Sequence, residues 1–396
     1  MGINKKMLQL GSHRSIIREI FEYSRIRGAQ IGKDKVFDFS LGNPSVPTPE
    51  IVNDTICELV KSEGNGMLHG YTSAQGDFSV REKISSEINR KYGTSLSPDN
   101  IYMTCGAAAS LSISLKAIIE KNGEECVVFA PYFTEYRVFI ENAQGTLVSV
   151  PPLYTTLEPD ISAFEKSINE KTKAVIINSP NNPSGVIYKK STILAICEVL
   201  EKKQREFGHD IYLISDEPYR ELAYEDKEIP YLMCHYKNTI VCYSYSKSLS
   251  LPGERIGYIA VNPEMENARD LYLAICGAGR SLGYVCAPSL FQHVIARIDE
   301  ACVDISIYRE NRDLLYNGLT ELGYECIQSD GAFYLFLKAP SNDAYSFYET
   351  AKKHEVLLVP CDDFGVSGYV RIAYCVDKKR ILGALPAFAE IMKEYK

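Results

Sequence analysis

Short runs of apolar residues recur along the chain, and a polar turn follows each of them. Residues 211–214 and 239–243 form two such runs, and others begin at Ile101 and Lys173. Continuous apolar runs of this length predict strands that are buried on both faces of a parallel sheet. Helical patterns separate them from about residue 50 to 265, so the chain predicts an α/β fold whose mostly parallel sheet is flanked by helices.

The pattern of apolar positions changes on either side of this region. Residues 12–27 predict an amphipathic helix, and residues 288–322 predict one long helix. Three further strands are predicted over residues 333–337, 356–359 and 369–374. A few strands mixed with helices after a long helix indicate a smaller α+β region towards the end of the chain.

Lys247 lies among hydroxyl groups directly after the apolar run 239–243. A lysine acts as a covalent catalyst only when its amine loses a proton near neutral pH, which desolvation and neighbouring cations favour. Ser244, Ser246 and Arg255 offer the hydroxyl donors and the guanidinium fork that bind a phosphate dianion. A lysine beside a phosphate site indicates pyridoxal phosphate, although a solvated loop lysine fits the same pattern.

Two other polar turns follow apolar runs. Asp216 ends the run 211–214, and a carboxylate at this edge of a parallel sheet can keep a pyridinium nitrogen protonated. Tyr219 can donate to the phenolic oxygen of the ring. Asn182 follows the run that begins at Lys173, and its amide can donate to the same oxygen and to a substrate carboxylate. The alternative for Asp216 is a helix N-cap before Glu217 and Pro218.

Very small residues follow the short strand that begins at Ile101. Gly106, Ala107 and Ala108 precede the helical run 111–119. Small side chains at a helix N-terminus let backbone N–H groups close on a phosphate, and the helix dipole adds to the attraction. Close packing of the helix on the sheet is the alternative explanation.

The composition narrows the class of protein. Of 396 residues, 43 are basic and 51 acidic, and the net charge of -8 argues against nucleic acid as a partner. Twelve cysteines without a C-x-x-C pair and only six histidines indicate a reducing cytoplasm and no zinc or other metal site. No run of eighteen apolar residues and no signal-peptide pattern are present, so we expect a cytoplasmic protein without a membrane segment.

Taken together, the motifs from Leu41-Gly-Asn-Pro44 to Tyr369-Val-Arg-Ile-Ala373 resemble those of the class I/II pyridoxal-phosphate-dependent aminotransferases, the aspartate aminotransferase family of fold type I. The resemblance implies a large cofactor-binding domain over residues 46–300 and a small α+β domain from residues 1–45 and 301–396. It also implies that Lys247 forms a Schiff base with pyridoxal 5'-phosphate and then moves the substrate proton. The other implied cofactor contacts are Asp216 to the pyridine nitrogen, Tyr219 and Asn182 to the phenolic oxygen, Phe133 to the ring face, and Ser244, Ser246, Arg255, Gly106, Ala107 and Ala108 to the phosphate.

The resemblance further implies how substrate and subunits are arranged. Arg371 matches the arginine that holds the substrate α-carboxylate. Gly42 matches the residue whose backbone lies close to the substrate. Tyr71 matches the tyrosine that reaches the phosphate of the neighbouring subunit, which implies a homodimer with shared active sites. Arg280 lies roughly where dicarboxylate-specific members supply a second arginine. An ion pair for Arg371 and a structural role for Arg280 are the alternatives, and Phe133 stands where the family often has tryptophan.

Three functions remain in competition. The first is an aminotransferase that moves an amino group from an L-amino acid to a 2-oxo acid. The second is a carbon–sulfur β-lyase on the same scaffold, because the same carbanion can eliminate a β-substituent. The third is the effector-sensing module of a transcription regulator, which the presence of Lys247 disfavours.

Overall fold

The computed structural model describes residues 2–12, 15–62, 68–225, 227–299 and 301–396. Within these ranges the helices are α1 (Lys5–Ser12), α2 (Ile16–Ile31), α3 (Glu50–Ser62), α4 (Phe78–Tyr92), α5 (Ala107–Ile118), α6 (Glu135–Asn142), α7 (Ile161–Ser167), α8 (Lys190–Phe207), α9 (Tyr245–Ser248), α10 (Ala268–Ser281), α11 (Ser289–Arg297), α12 (Ser306–Glu321), α13 (Ala344–Lys353) and α14 (Lys378–Lys393). The strands are β1 (Phe37–Asp38), β2 (Ile101–Thr104), β3 (Glu125–Phe129), β4 (Thr146–Val150), β5 (Thr172–Asn178), β6 (Tyr212–Glu217), β7 (Thr239–Ser244), β8 (Gly257–Val261), β9 (Cys326–Ile327), β10 (Tyr334–Lys338), β11 (Val356–Leu357), β12 (Val359–Pro360) and β13 (Tyr369–Ala373).

A seven-stranded sheet forms the centre of the molecule. Its strand order is β2-β8-β7-β6-β5-β3-β4, and only β8 runs antiparallel to its neighbours. Every residue of β7 and β8 is buried, as expected for strands covered by helices on both faces. The prediction of a mostly parallel sheet flanked by helices is confirmed.

A second core lies around a four-stranded antiparallel sheet of order β12-β13-β10-β9. Phe333, Phe347 and Phe388 are fully buried in it. The N-terminal strand β1 pairs in parallel with β11, so Phe37 lies beside Val356. The early chain therefore contacts the late chain, while the domain boundaries given above stay a prediction.

Two helix predictions differ from the structure: one helix has different ends, and the other is divided in two. The helix predicted over residues 12–27 begins only after Ser15, whose backbone is extended, and continues to Gly32, whose φ of 102° ends it. Residues 13 and 14 of that prediction lie outside the described residues. The helix predicted over residues 288–322 is two helices, α11 and α12, and its residue 300 also lies outside the described ranges. Asp304 lies between them, and its side chain accepts a hydrogen bond at 3.0 Å from the amide of Ser306, the first residue of α12.

The strand predicted over residues 356–359 is divided as well. β11 pairs with β1, whereas β12 pairs with β13, so two adjacent segments belong to different sheets. No helix in the described ranges is long and apolar enough to cross a membrane.

Candidate active site

A cavity of about 370 Å³ lies at the carboxyl ends of the parallel strands, between the two cores. Open α/β sheets bind their ligands at this edge. Most of the residues predicted from the sequence line it, namely Gly42, Ala107, Ala108, Phe133, Asn182, Asp216, Tyr219, Ser244, Ser246, Lys247, Arg255 and Arg371.

Lys247 is carried by the single-turn helix α9, which follows β7 directly. Its Nζ donates a hydrogen bond to the Gly42 carbonyl oxygen at 2.8 Å and lies 5.4 Å from the centre of the Phe333 ring. Burial, together with the charges of Arg255 and Arg371, lowers the pKa of this amine to about 8. Lys247 lies in a helix and is only partly exposed, so the solvated-loop alternative is wrong. The lowered pKa makes a larger share of this amine neutral near physiological pH than of an ordinary lysine.

Gly42 is required where it contacts Lys247. A Cβ atom at this position would lie 2.0 Å from the Tyr334 hydroxyl oxygen, much closer than packing allows. Only glycine therefore lets the backbone carbonyl reach the lysine amine in this packing.

Asp216 lies inside β6, and its two carboxylate oxygens have different surroundings. Oδ2 accepts a hydrogen bond from the Tyr136 hydroxyl, whereas Oδ1 is buried and has no hydrogen-bond partner among the described residues. Burial raises the pKa of this carboxyl to about 7, although the Tyr136 hydrogen bond opposes the change. The N-cap alternative is wrong, because β6 continues through Asp216 to Glu217.

Groups suited to an anion surround the start of α5. Gly106 precedes the helix with a φ of 86°, and a Cβ atom there would lie 2.9 Å from Nη2 of Arg255. Arg255 Nη1 donates to Ser246 Oγ at 3.4 Å, and Ser244 Oγ donates to Ser246 Oγ at 2.9 Å. The first N–H groups of a helix have no partner within it, so amides, hydroxyls and a guanidinium converge on one point.

Arg371 lies on β13 and is 2% exposed. Its Nη1 donates to Asn182 Oδ1 at 3.0 Å, and its Nη2 donates to the Ser40 carbonyl oxygen at 2.6 Å. Its Nε is buried and has no partner in the described part of the chain. The ion-pair alternative is wrong, because Arg371 forms no salt bridge within these ranges and is held by neutral oxygens.

Aromatic side chains complete the walls of the cavity. The Tyr219 hydroxyl lies 2.9 Å from the Tyr334 hydroxyl, and Arg371 lies 4.7 Å from the centre of the Tyr334 ring. Phe133 lines the cavity and meets the Tyr136 ring edge to face at 5.7 Å. An aromatic face is thus available at the predicted position without tryptophan.

Three predicted residues do not line this cavity: Gly106, which directly precedes the lining residues Ala107 and Ala108, and two exposed residues. Tyr71 is 88% exposed, and Arg280 is exposed in the last turn of α10. Neither lines the pocket formed by the described residues of one chain. A role for either in the site requires a neighbouring subunit.

Sequence reasoning missed three residues that the fold brings to the site. Tyr136 follows the predicted residue Phe133 by three positions, but Phe133 lies before α6, so no helical spacing signalled that Tyr136 belongs to the site. Tyr334 and Arg18 line the cavity from β10 and α2, and nothing in their sequence surroundings indicates this. The Arg18 guanidinium has no hydrogen bond or ion pair to any described residue.

Comparison with known proteins decides the family. The model of the family described as aminotransferase class I and II matches residues 34–388. The chain belongs to the class I and II aminotransferases. A relative from Methanocaldococcus jannaschii, named probable aspartate aminotransferase, is 30% identical over 96% of this chain and 97% of its own length.

Solved structures agree with this membership. An amino transferase from Eubacterium rectale is 53% identical, with a TM-score of 0.98 and complete coverage of both chains. An aspartate aminotransferase from Thermus thermophilus with maleate is 25% identical, with a TM-score of 0.85 over 99% of this chain and 100% of that chain. The aminotransferase is accordingly a pyridoxal-phosphate-dependent enzyme that moves an amino group from an amino acid to a 2-oxo acid. The relatives do not favour the β-lyase alternative.

The residues of the cavity fit this cofactor. The unpartnered Oδ1 of Asp216 is an acceptor for a pyridinium N–H, and the start of α5 offers donors for a phosphate. The Lys247 amine, with its lowered pKa, lies in the same cavity. Each functional group of pyridoxal phosphate therefore has a chemically suitable neighbour.

Proposed function

We propose that Lys247 holds the cofactor covalently and moves the substrate α-proton. The observation that carries this proposal is an amine with a pKa of about 8 whose one hydrogen bond to the described residues goes to a carbonyl oxygen. A neutral amine is both a nucleophile and a base, whereas an ordinary lysine is protonated at neutral pH. An ion pair to a carboxylate would raise the pKa of the amine, and Lys247 forms none in the described chain.

The proton on the cofactor nitrogen is held by Asp216 in this proposal. When bound, pyridoxal phosphate supplies an electron sink that stabilises negative charge at the substrate α-carbon. Asp216 Oδ1 accepts the N–H of the pyridinium ring, and the Tyr136 hydroxyl fixes the other carboxylate oxygen. Tyr136 is thus a positioning residue, because it acts through Asp216.

The remaining cofactor contacts follow the same assignment. Asn182 and Tyr219 hold the phenolic oxygen, and Phe133 covers one face of the ring. The Asn182 Nδ2 group supports its role because it makes no hydrogen bond within the described chain. The phosphate is held at the start of α5 by the residues Gly106, Ala107, Ala108, Ser244, Ser246 and Arg255.

Arg371 binds the α-carboxylate of the amino acid in this assignment. Its buried Nε lacks a partner, and its Nη groups are fixed by Asn182 and Ser40, so the fork is oriented before the substrate arrives. Orientation of this kind lowers the entropic cost of reaching the reactive geometry. Gly42 contributes by bringing its carbonyl oxygen to the lysine amine.

We propose a dicarboxylic amino acid as one substrate. Several relatives are named aspartate aminotransferase, and the Thermus thermophilus structure contains maleate, a dicarboxylate. Arg18 supplies a guanidinium at the cavity that has no partner among the described residues, and Arg280 is a second arginine that a partner subunit can contribute. Guanidinium groups bind carboxylates through paired hydrogen bonds.

The active unit in this proposal is a cytoplasmic homodimer with shared sites. The exposed position of Tyr71 supports it, because a tyrosine that serves the neighbouring phosphate projects from its own subunit. The cysteine and charge pattern of the sequence supports the cytoplasmic setting.

The covalent role of Lys247 is tested by reduction with borohydride followed by peptide mass spectrometry. We expect the cofactor mass on the peptide that contains Lys247, and loss of turnover in Lys247→Ala with the cofactor still bound. Lys116→Ala, which removes an exposed lysine on α5, is the matched control and keeps normal turnover. Normal turnover in Lys247→Ala would refute the proposal.

A further inference from the structure

A second cavity, of about 400 Å³, lies on the face of the central sheet opposite the active site. Successive side chains of a strand point to opposite faces of its sheet. On β6, Asp216 points to the active site and Glu217 to this second cavity, and Ser244 and Tyr243 divide in the same way on β7. Helices α4 and α11 cover its far side. One layer of sheet therefore separates the two cavities.

Tyrosine rings form much of the wall of this cavity. Tyr92 and Tyr231 stack with ring centres 4.0 Å apart, and Tyr243 and Tyr258 stack at 4.9 Å. Tyr245 adds a fifth ring. Aromatic faces carry partial negative charge and attract cations, particularly where water is excluded. We call this space the tyrosine cavity.

Some charged side chains in the lining of the tyrosine cavity form ion pairs, and others do not. Glu217 and Arg220 form a buried ion pair, and Glu87 pairs with Lys83 at 3.2 Å. Glu221 has no salt bridge to any described residue, and its Oε2 is buried without a hydrogen-bond partner. Burial raises the pKa of the Glu221 carboxyl, and the charge of Lys91 nearby opposes this without reaching ion-pair distance.

A second buried oxygen in the same wall also lacks a partner. The Tyr231 hydroxyl makes no hydrogen bond within the described residues, and Tyr231 is only 5% exposed. Buried polar atoms without partners cost free energy, so two of them facing one cavity indicate an occupant that supplies hydrogen bonds. The lining contains three carboxylates; Glu217 pairs with Arg220 and Glu87 with Lys83, so Glu221 is the one that forms no ion pair with a described residue.

We propose that the tyrosine cavity binds a small organic ammonium compound. Its N–H group donates to Glu221 Oε2, and its hydrocarbon part packs on the rings. Its positive charge lies against the tyrosines other than Tyr92 and Tyr231, because Arg220 already lies 5.4 and 5.1 Å from the centres of those two rings. A metal ion fits less well, because no group of three or more potential metal ligands occurs in the described ranges. The mouth of the cavity lies beside Lys91 and Cys302, both exposed, so a ligand can enter from solvent.

An occupant of this cavity would contact the helix that carries the active-site lysine. Tyr245 and Ser248 of α9 line the tyrosine cavity, whereas Lys247, between them, lines the active site. The Tyr243 hydroxyl donates to Ser248 Oγ at 3.1 Å, which joins the cavity wall to the same turn. A bound ligand therefore sits on the back of the turn that positions Lys247.

The proposal is tested with N,N-dimethylbenzylamine, a tertiary amine that is charged at neutral pH and cannot form a Schiff base. Titration of the holoenzyme by calorimetry should give saturable binding, and the Arg371→Ala holoenzyme, which lacks the arginine assigned to carboxylate binding, should bind this probe but not phenylacetate, its anionic counterpart. Glu221→Gln should weaken binding by about tenfold or more, because it removes a charge-assisted hydrogen bond. Ala301→Phe, which narrows the cavity without removing a polar group, should weaken it too.

Two controls distinguish this cavity from the active site and from the surface. Arg371→Ala alters only the active site, and Glu198→Gln removes an exposed carboxylate on α8, so both should bind the probe as the unmodified enzyme does. Absence of saturable binding, as for a cavity filled only with water, overturns the proposal. Binding that is lost in Arg371→Ala, or equally in Glu198→Gln, overturns it as well.

Discussion

The buried carboxylate of Asp216 should make the cofactor-free enzyme less stable as the pH rises. Its pKa is raised from 3.8 to about 7 by burial, so the folded protein keeps this proton up to about pH 7 while the unfolded chain loses it near pH 4. Between these values the folded state binds more protons, and stability therefore falls with increasing pH. Three pKa units correspond to roughly 4 kcal/mol, fully lost above about pH 7.

The change to test this is Asp216→Asn, which keeps the shape and removes the titration. Urea unfolding of the cofactor-free proteins between pH 4 and 8 should give a flatter profile for the variant and higher stability than the unmodified protein at pH 8. Tyr136→Phe should extend the loss to higher pH by about one to two units, because it removes a hydrogen bond to the charged form. Asp54→Asn, at an exposed position, is the control and should keep the original slope.

Adding pyridoxal phosphate should reverse the order of stability. In the complex the Asp216 charge has a pyridinium partner, so the unmodified enzyme gains more stability from the cofactor than Asp216→Asn does. An unchanged pH slope in the cofactor-free Asn variant, or a variant less stable than the unmodified protein at pH 8, would falsify the reasoning.

Three further predictions concern other residues of the site. The pKa of Lys247 is lowered from 10.5 to about 8, so the unfolded chain binds more protons between these values and the cofactor-free protein becomes more stable as the pH rises across that window. Lys247→Met should remove this rise and add on the order of 3 kcal/mol to the free energy of unfolding at pH 7, measured by urea unfolding. A rise that remains in the variant contradicts the assignment. Arg18→Ala should lower kcat/KM for aspartate by about tenfold or more and leave kcat/KM for alanine unchanged. Arg280→Ala should have the same effect if this side chain of the partner subunit enters the site. For either variant, an equal loss for both amino acids means that the substituted arginine is structural. Mixing inactive Tyr71→Ala and Lys247→Ala proteins should restore about a quarter of the sites through heterodimers, and activity that stays at background rules out sharing.

The fold class and most of the cavity residues were accessible from the sequence, because both depend on local order along the chain. Asn182, Asp216 and Ser244 each follow or end an apolar run, and the ends of parallel strands meet at one edge of the sheet. The same logic brought Lys247 and Arg255 to the site. The order of these residues along the chain was sufficient to predict that they lie at the same edge of the sheet.

Contacts between distant segments were not accessible in this way. Lys247 and Gly42 are 205 residues apart, and their hydrogen bond depends on how the two cores meet. Tyr334 enters the cavity from the antiparallel sheet, whose register no local pattern encodes. The break between α11 and α12 was missed because apolar residues continue across it.

The adjacent acids at the end of β6 restrict how this sequence can evolve. Asp216 and Glu217 are neighbours in the chain but belong to different cavities, because alternate residues of a strand face opposite ways. Deleting or inserting one residue in the strand would exchange them, bringing the Arg220-paired acid towards the cofactor and the cofactor's acid into the tyrosine cavity. A substitution in β6 changes one side chain, whereas an insertion or a deletion changes the face on which the following side chains lie. We therefore expect related sequences to vary in residue type along β6 but to keep the same number of residues in this strand.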